Sequence, residues 1–175
     1  MRYFKIIICL FSFWAMQPIQ AQQMGFSVLS FPGIATNVGA GYFYDGGGFD
    51  LNYQHDLGKG RLVGGVEYRM INWGNQIALN MGYNFSYWAE AHWRFSGTTA
   101  AQIGLALFYQ KPLIIWALEY MPQMEWQSEK RFFANLGIGF RFSNSPSYKR
   151  YGEINTTFNL PIKIGVGFRL GKRNK

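Results

Sequence analysis

Phe49-Asp-Leu-Asn-Tyr-Gln-His-Asp-Leu57 alternates along its whole length, with Phe49, Leu51, Tyr53, His55 and Leu57 on one parity and Asp50, Asn52, Gln54 and Asp56 on the other. The last strand-like segment repeats the rhythm: Leu160, Ile162, Ile164, Val166, Phe168 and Leu170 alternate with Pro161, Lys163, Gly165, Gly167 and Arg169. Successive side chains of a strand point to opposite faces, so each segment carries one apolar and one polar face. The same rhythm returns between turn signals through most of the chain, which makes the protein all-β and antiparallel.

Residues 1–21 stand apart. Arg2 and Lys5 give a positive start, Ile6 to Met16 an apolar stretch, and Gln17 to Ala21 a polar end with a small residue for cleavage. The apolar stretch falls short of the ~20 residues that span a bilayer. Cys9 lies near its beginning, away from the cleavage point, and reads as an ordinary apolar residue. Residues 1–21 are therefore expected to be an export signal and residues 22–175 a single domain without cysteine, which excludes disulfides and thiol chemistry there.

The chain has 17 Lys and Arg against nine Asp and Glu; without Arg2 and Lys5 the balance is 15 − 9 = +6. Lys172, Arg173 and Lys175 crowd the C-terminus, and Lys149 and Arg150 share a loop. No basic stripe is interleaved with aromatics on a polar surface, so no nucleic-acid partner is expected. Aromatics make up 19% of the residues and Gly numbers 21. A mean hydropathy of −0.09 hides a membrane β-barrel well, because half of each strand is polar.

The strands read from the pattern begin at Thr36–Tyr44, with residues 22–35 left ambiguous by the break at Pro32-Gly33. Asp45-Gly46-Gly47-Gly48 reads as a tight turn, since glycine supplies the positive φ of hairpins. Phe49–Leu57 and Arg61–Met70 follow, then Ile77–Phe95, whose odd positions stay apolar throughout. That stretch is either one very long strand or two joined around Asn84–Ser86. Ser96-Gly97-Thr98-Thr99 turns into Ala101–Tyr109, Gln110-Lys111-Pro112 reverses into a strand from Ile114 to Tyr120 or Trp126, and Phe132–Phe142 precedes the longest loop, Asn144–Gly152. Ile154–Leu170 closes the set. The count is eight strands, or ten if Ile77–Phe95 is split and Phe26–Phe31 admitted.

Alternation alone fits a membrane barrel or a soluble one with an apolar interior. The volume of the apolar face decides between them. Trp93, Trp116, Phe132, Phe140, Phe142 and Phe168 are too bulky for an eight-stranded interior, which close-packed side chains already fill. The other face carries Asp50, Asp56, Glu67, Glu90 and Glu119 against Arg61, Arg69, Arg94, Arg141, Lys163 and Arg169. Arginine with carboxylates suits a confined polar core, where buried charges must be paired. The fold is thus read as a transmembrane up-and-down β-barrel with a polar lumen.

On this alternation, the placement of aromatics and the closing strand, residues 36–170 resemble the small outer-membrane β-barrels of Gram-negative bacteria, of the opacity and outer-membrane-protein-A/X type. In such families the last strand ends in a pattern read by the insertion machinery. Gly165 and Phe168 fit it, whereas Ile164 replaces its polar residue, Leu170 its terminal aromatic, and Gly171–Lys175 run on past it. The resemblance implies an outer-membrane location, contact with outer-membrane lipid and the barrel-insertion machinery, and a protein partner in an envelope complex. It also implies a non-enzymatic structural, adhesive or accessory role, with a narrow porin-like pore for small solutes or a lipid A-modifying enzyme as alternatives.

Candidate chemistry is sparse. His92 lies between Glu90 and Arg94 on the polar parity, and Ser96 continues the row. The row reads either as a catalytic array or as a salt-bridge ladder in the core, and the ladder is the reading adopted. His55 falls on the lipid-side parity beside a turn, so the two histidines cannot share a metal ion. No catalytic, cofactor-binding or metal site is assigned. Trp73, Tyr87, Trp88, Tyr109 and Trp126 fall near strand ends, where an interfacial aromatic girdle accounts for them.

Overall fold

The computed structural model describes residues 22–35, 41–57, 60–71, 74–108, 111–146 and 154–169. Ten strands follow one another along the chain: β1 Gln22–Ala35, β2 Gly41–Leu57, β3 Gly60–Ile71, β4 Gly74–Glu90 and β5 Trp93–Phe108. They continue as β6 Lys111–Gln127, β7 Phe132–Ile138, β8 Phe140–Pro146, β9 Ile154–Asn159 and β10 Ile162–Arg169. All pairings are antiparallel, β1 through β6 pair in chain order, and β1 also pairs with both β9 and β10. The sheet therefore closes on itself.

β7 and β8 are two halves of one strand, as are β9 and β10. β6 faces β7 and β8 without a change of register, and β1 faces β10 and β9 likewise. The interruptions fall side by side at Gly139 and Pro161, where Gly139 N–H donates to the Pro161 carbonyl at 2.9 Å. Pro161 has no N–H to return, so the ladder loses a rung without losing its register. Eight physical strands make the barrel.

The stagger of that barrel follows from the Cα partners. One circuit runs from Gln23 to Gln54, Val63, Gly82, Ala100, Glu119, Arg141 and Asn159, and re-enters β1 at Gly33, ten residues beyond its start. With a rise of ~3.3 Å per residue and ~4.8 Å between strands, a shear of ten on eight strands tilts them by about 40° and gives a radius of about 8 Å. Such a lumen is just wide enough for side chains to fill.

The molecule is inside out relative to a water-soluble barrel. Leu79, Ile103, Ile114, Leu118, Ile164 and Phe168 point outward and are exposed, Leu79 by 62%, while Asp50, Asn52, Arg61, Glu67, Gln102, Glu125 and Arg141 are buried inside. Tyr87, Trp88, Trp93 and Trp126 form an exposed aromatic band near the end that carries the β4–β5 turn, with Trp126 against Phe132 and Phe132 against Phe168. Trp73 and Tyr109 lie outside the described residues.

Eight strands agree with the count read from the sequence, but two of the strands differ. The first strand is β1, which the break at Pro32-Gly33 obscured; the register shifts by a bulge between Ser30 and Pro32 and then continues. Thr36–Ala40 lie outside the described residues, and Asp45–Gly48 is not a turn but the middle of β2. Glycine serves close approach there: a Cβ on Gly48 would lie 2.3 Å from the Tyr68 carbonyl oxygen. Ile77–Phe95 is two strands, turning at Ala91-His92 rather than at Asn84–Ser86, with Ala91 in the left-handed region at φ 45°. Ser96–Thr99, read as a turn, lies inside β5.

The parity of Ile77–Phe95 stayed unbroken for a physical reason. A bulge between Ser86 and Trp88 flips the face, and the two-residue turn pairing Glu90 with Trp93 flips it back. One extra strand at the start, offset by a single β2 running through the expected turn at Asp45–Gly48, and one turn displaced along the chain leave the total at eight.

Leu79→Arg should lower the unfolding free energy of the bilayer-inserted protein by about 2–4 kcal/mol, the cost of a cation near the midplane. Denaturant unfolding followed by tryptophan fluorescence measures it. Unchanged stability would place Leu79 in the lumen instead.

Candidate functional site: a charged lumen with one open end

Inward positions alternate strictly with the lipid-facing ones, so closure converges polar side chains from strands far apart in sequence. Two arginines organise them. Arg141 on β8, 1% exposed, donates to both oxygens of Glu67 on β3 at 2.7 Å and through Nε to Glu119 Oε2 on β6 at 2.7 Å. Gln102 on β5 adds a bond to Glu67 at 3.2 Å. The planar guanidinium suits this task because it offers five donors in a fixed fork.

Arg61 on β3 forms the second cluster nearer the end with the β2–β3 and β4–β5 turns. Its Nε meets Asp56 at 3.0 Å, and its Nη1 meets Glu125 Oε2 at 3.0 Å and Gln54 at 3.4 Å. Glu125 is wholly buried and also accepts from Gln127. On the other side of the lumen Lys163 meets Asp50 at 2.7 Å, and Asn52 donates to the same carboxylate at 3.1 Å. Each pairing offsets a desolvation cost that a lone ion could not bear in so confined a space.

The free space is unevenly distributed. Beside Glu67, Gln102 and Arg141 the cavity measures only about 10 Å³, about one water. At the turn end a vestibule of about 310 Å³ opens, lined by Asp56, Arg61, Glu90, Arg94 and Gln127 among others. The described side chains thus pack closely beside Arg141 and leave open space at the turn end.

The row Glu90, His92, Arg94 and Ser96 is not one array. Because of the bulge, Glu90 sits opposite outward Trp93 and is exposed, while Arg94 and Ser96 point inward. His92 occupies the turn, with Nδ1 2.9 Å from the Gln127 carbonyl oxygen. Arg94 donates to Asn84 Oδ1 at 2.8 Å, and Asn84 donates in turn to Ser96 Oγ at 3.1 Å and to Thr98 at 2.8 Å. The salt-bridge ladder expected of this row is therefore corrected: Arg94 and Ser96 share Asn84, and neither meets Glu90 or His92. His55 keeps its outward parity, yet it is only 8% exposed rather than an open interfacial side chain. Among the described residues no three His, Cys, Asp or Glu side chains group as metal ligands.

Sequence reasoning missed Glu125, the most deeply buried carboxylate. Its signal was present: it alternates with outward Met124 and Trp126, but the strand was expected to end anywhere between Tyr120 and Trp126.

A closed eight-stranded sheet, apolar outside and ionic inside, defines the class: a membrane β-barrel. Comparison with solved structures agrees. The chain is similar in fold to Neisserial surface protein A, at TM-score 0.62 and 7% identity, over 85% of this chain and 98% of that one. It is similar also to outer membrane protein H from P. aeruginosa, at TM-score 0.57 and 11% identity, over 86% and 100%. A third is Ail, the attachment invasion locus protein of Yersinia pestis, at TM-score 0.52 and 12% identity, over 86% and 98%. The resemblance to small outer-membrane barrels read from the sequence holds at the level of fold. No family model matches the chain, and no curated protein matches it by sequence.

Arg141→Ala should cost about 3–5 kcal/mol, because it leaves Glu67 and Glu119 uncompensated in the core. Arg94→Ala should cost only about 1–2 kcal/mol, since it strands no carboxylate and removes one bond to Asn84. Equal losses in denaturant unfolding would contradict the assignment of the ion pairs.

Proposed function

We propose that this protein is a non-enzymatic integral outer-membrane β-barrel with a structural, adhesive or envelope-accessory role. One observation carries the proposal: a belt of exposed apolar side chains surrounds a lumen crossed by buried ion pairs, with only about 10 Å³ of free space beside Glu67, Gln102 and Arg141. Residues 1–21 are its export signal. The start of β1 and the end of β10 face the periplasm, because the longer connections, 36–40 and 147–153, join strands at the opposite end and the longer connections of such barrels are the extracellular ones. The ends of β8 and β9 that residues 147–153 join then lie on the outer side.

The exterior requires membrane lipid as its immediate partner, and delivery there requires the barrel-insertion machinery. Adhesion would have to use segments 36–40 and 147–153 and the strand ends beside them, because only two residues, 72–73 and 109–110, join the other strands at that end. The buried ion pairs that cross the lumen disfavour the pore alternative. The separation of His92 from Ser96 and Glu90 disfavours the lipid A-modifying one.

Three measurements test the reading together. The mature protein should fractionate with outer membranes and resist alkaline extraction. Reconstituted in planar bilayers, it should show no sustained conductance steps. Deletion of the gene should leave the lipid A species unchanged by mass spectrometry. Steady conductance would revive the pore, and an altered lipid A profile the enzyme.

A further inference from the structure

The vestibule at the turn end contains two charged groups that make no direct ion pair, Arg94 and Glu90. Arg94 is 7% exposed and lines the cavity, yet its hydrogen bond is to neutral Asn84 and its Nε has no partner. Glu125, its Cα partner across the β5–β6 ladder, gives its carboxylate to Arg61 and Gln127 instead. A buried guanidinium with an idle donor is costly unless something else accepts from it. Glu90 lines the same cavity from the rim, exposed and without an ion pair.

These charges select the occupant. An oxyanion is the natural partner for Arg94, since guanidinium matches the planar geometry of phosphate and carboxylate. A bare oxyanion would also meet Glu90 and the half-buried Asp56 at the mouth. A molecule that carries an ammonium a few bonds from its oxyanion turns that repulsion into attraction. The volume of about 310 Å³ accommodates a small polar solute or a headgroup.

We propose that the vestibule binds a compact zwitterion, its phosphate or carboxylate held by Arg94 and its ammonium by Glu90 and Asp56. The chemistry has two sources: a free amino-phosphate or amino-acid solute, or the phosphoethanolamine headgroup of a phospholipid reaching over the rim beside Trp93. The site does not depend on the barrel's role in the envelope.

The test uses the whole mature barrel refolded in an uncharged detergent and titrated with O-phosphoethanolamine, followed by amide chemical shifts. Saturable shifts at Arg94, Glu90 and Asp56 are expected, with inorganic phosphate or ethanolamine alone binding at least about tenfold more weakly. Arg94→Gln should abolish binding and Arg94→Lys should retain part of it. Glu90→Gln, at an exposed position, should assemble normally and bring phosphoethanolamine and phosphate to similar affinity. Heat-modified gel mobility reports folding; if Arg94→Gln fails to fold, Arg94→Lys and Glu90→Gln carry the comparison. Dihexanoyl phosphatidylethanolamine binding more tightly than the free headgroup would support the site with lipid as its source, and binding lost on acylation would support it with a free solute. Absence of saturable shifts, or equal binding of inorganic phosphate that Glu90→Gln leaves unaffected, would overturn the proposal.

Discussion

The structure depends on one constraint: backbone N–H and C=O groups in hydrocarbon have no water to bond, so every strand must find two neighbours. The last strand satisfies it by pairing with the first, Gln23 to Ser30 against Arg169 to Ile162. Closure at a stagger of ten residues fixes the tilt and radius, and the radius fixes how much the interior can hold. Everything inward of the sheet is then a packing problem in a narrow tube.

That tube is filled with charge rather than with apolar bulk because the apolar parity is already committed to lipid. Small inward residues such as Gly82, Ala100 and Gly104 make room, and Arg141, Arg61 and Lys163 reach across it. A Cβ on Gly104 would lie 2.1 Å from the Ile77 carbonyl oxygen, so glycine there also lets β4 and β5 approach. The ionic clusters join strands far apart in sequence: Glu67 to Arg141, Arg61 to Glu125, Asp50 to Lys163. They act as cross-braces whose strength comes from being buried, paired and hydrogen-bonded at once.

Alternation makes the membrane-barrel class, the lipid-facing residues and nearly all the inward charges legible in the sequence. Strand ends are less so. Asp45 to Gly48 carry the composition of a turn but lie in the middle of β2, and a local reading has no access to the neighbouring Tyr68 backbone that requires glycine at position 48. Pro32 and Pro161 look like breaks, yet one sits at a bulge and the other merely removes a rung. The candidate site suffered most. Parity placed Glu90 in a row with Arg94, and a single bulge at Tyr87, invisible in an unbroken pattern, broke that row, leaving Glu90 exposed at the cavity rim and Arg94 buried inside. Partner choice among inward charges depends on the stagger of the closed sheet, which no single strand encodes.

Closure itself admits a direct measurement. Mature protein carrying Phe26→Cys and Val166→Cys, directly opposite on β1 and β10, can be oxidised after membrane insertion. The account predicts an intramolecular disulfide that changes the mobility of the heat-denatured chain, and little or none when Cys is moved from Val166 to Ile162. Failure of the Phe26–Val166 pair to cross-link, while a control pair at Leu79 and Ile103 on β4 and β5 does so, would show an open sheet and contradict the barrel.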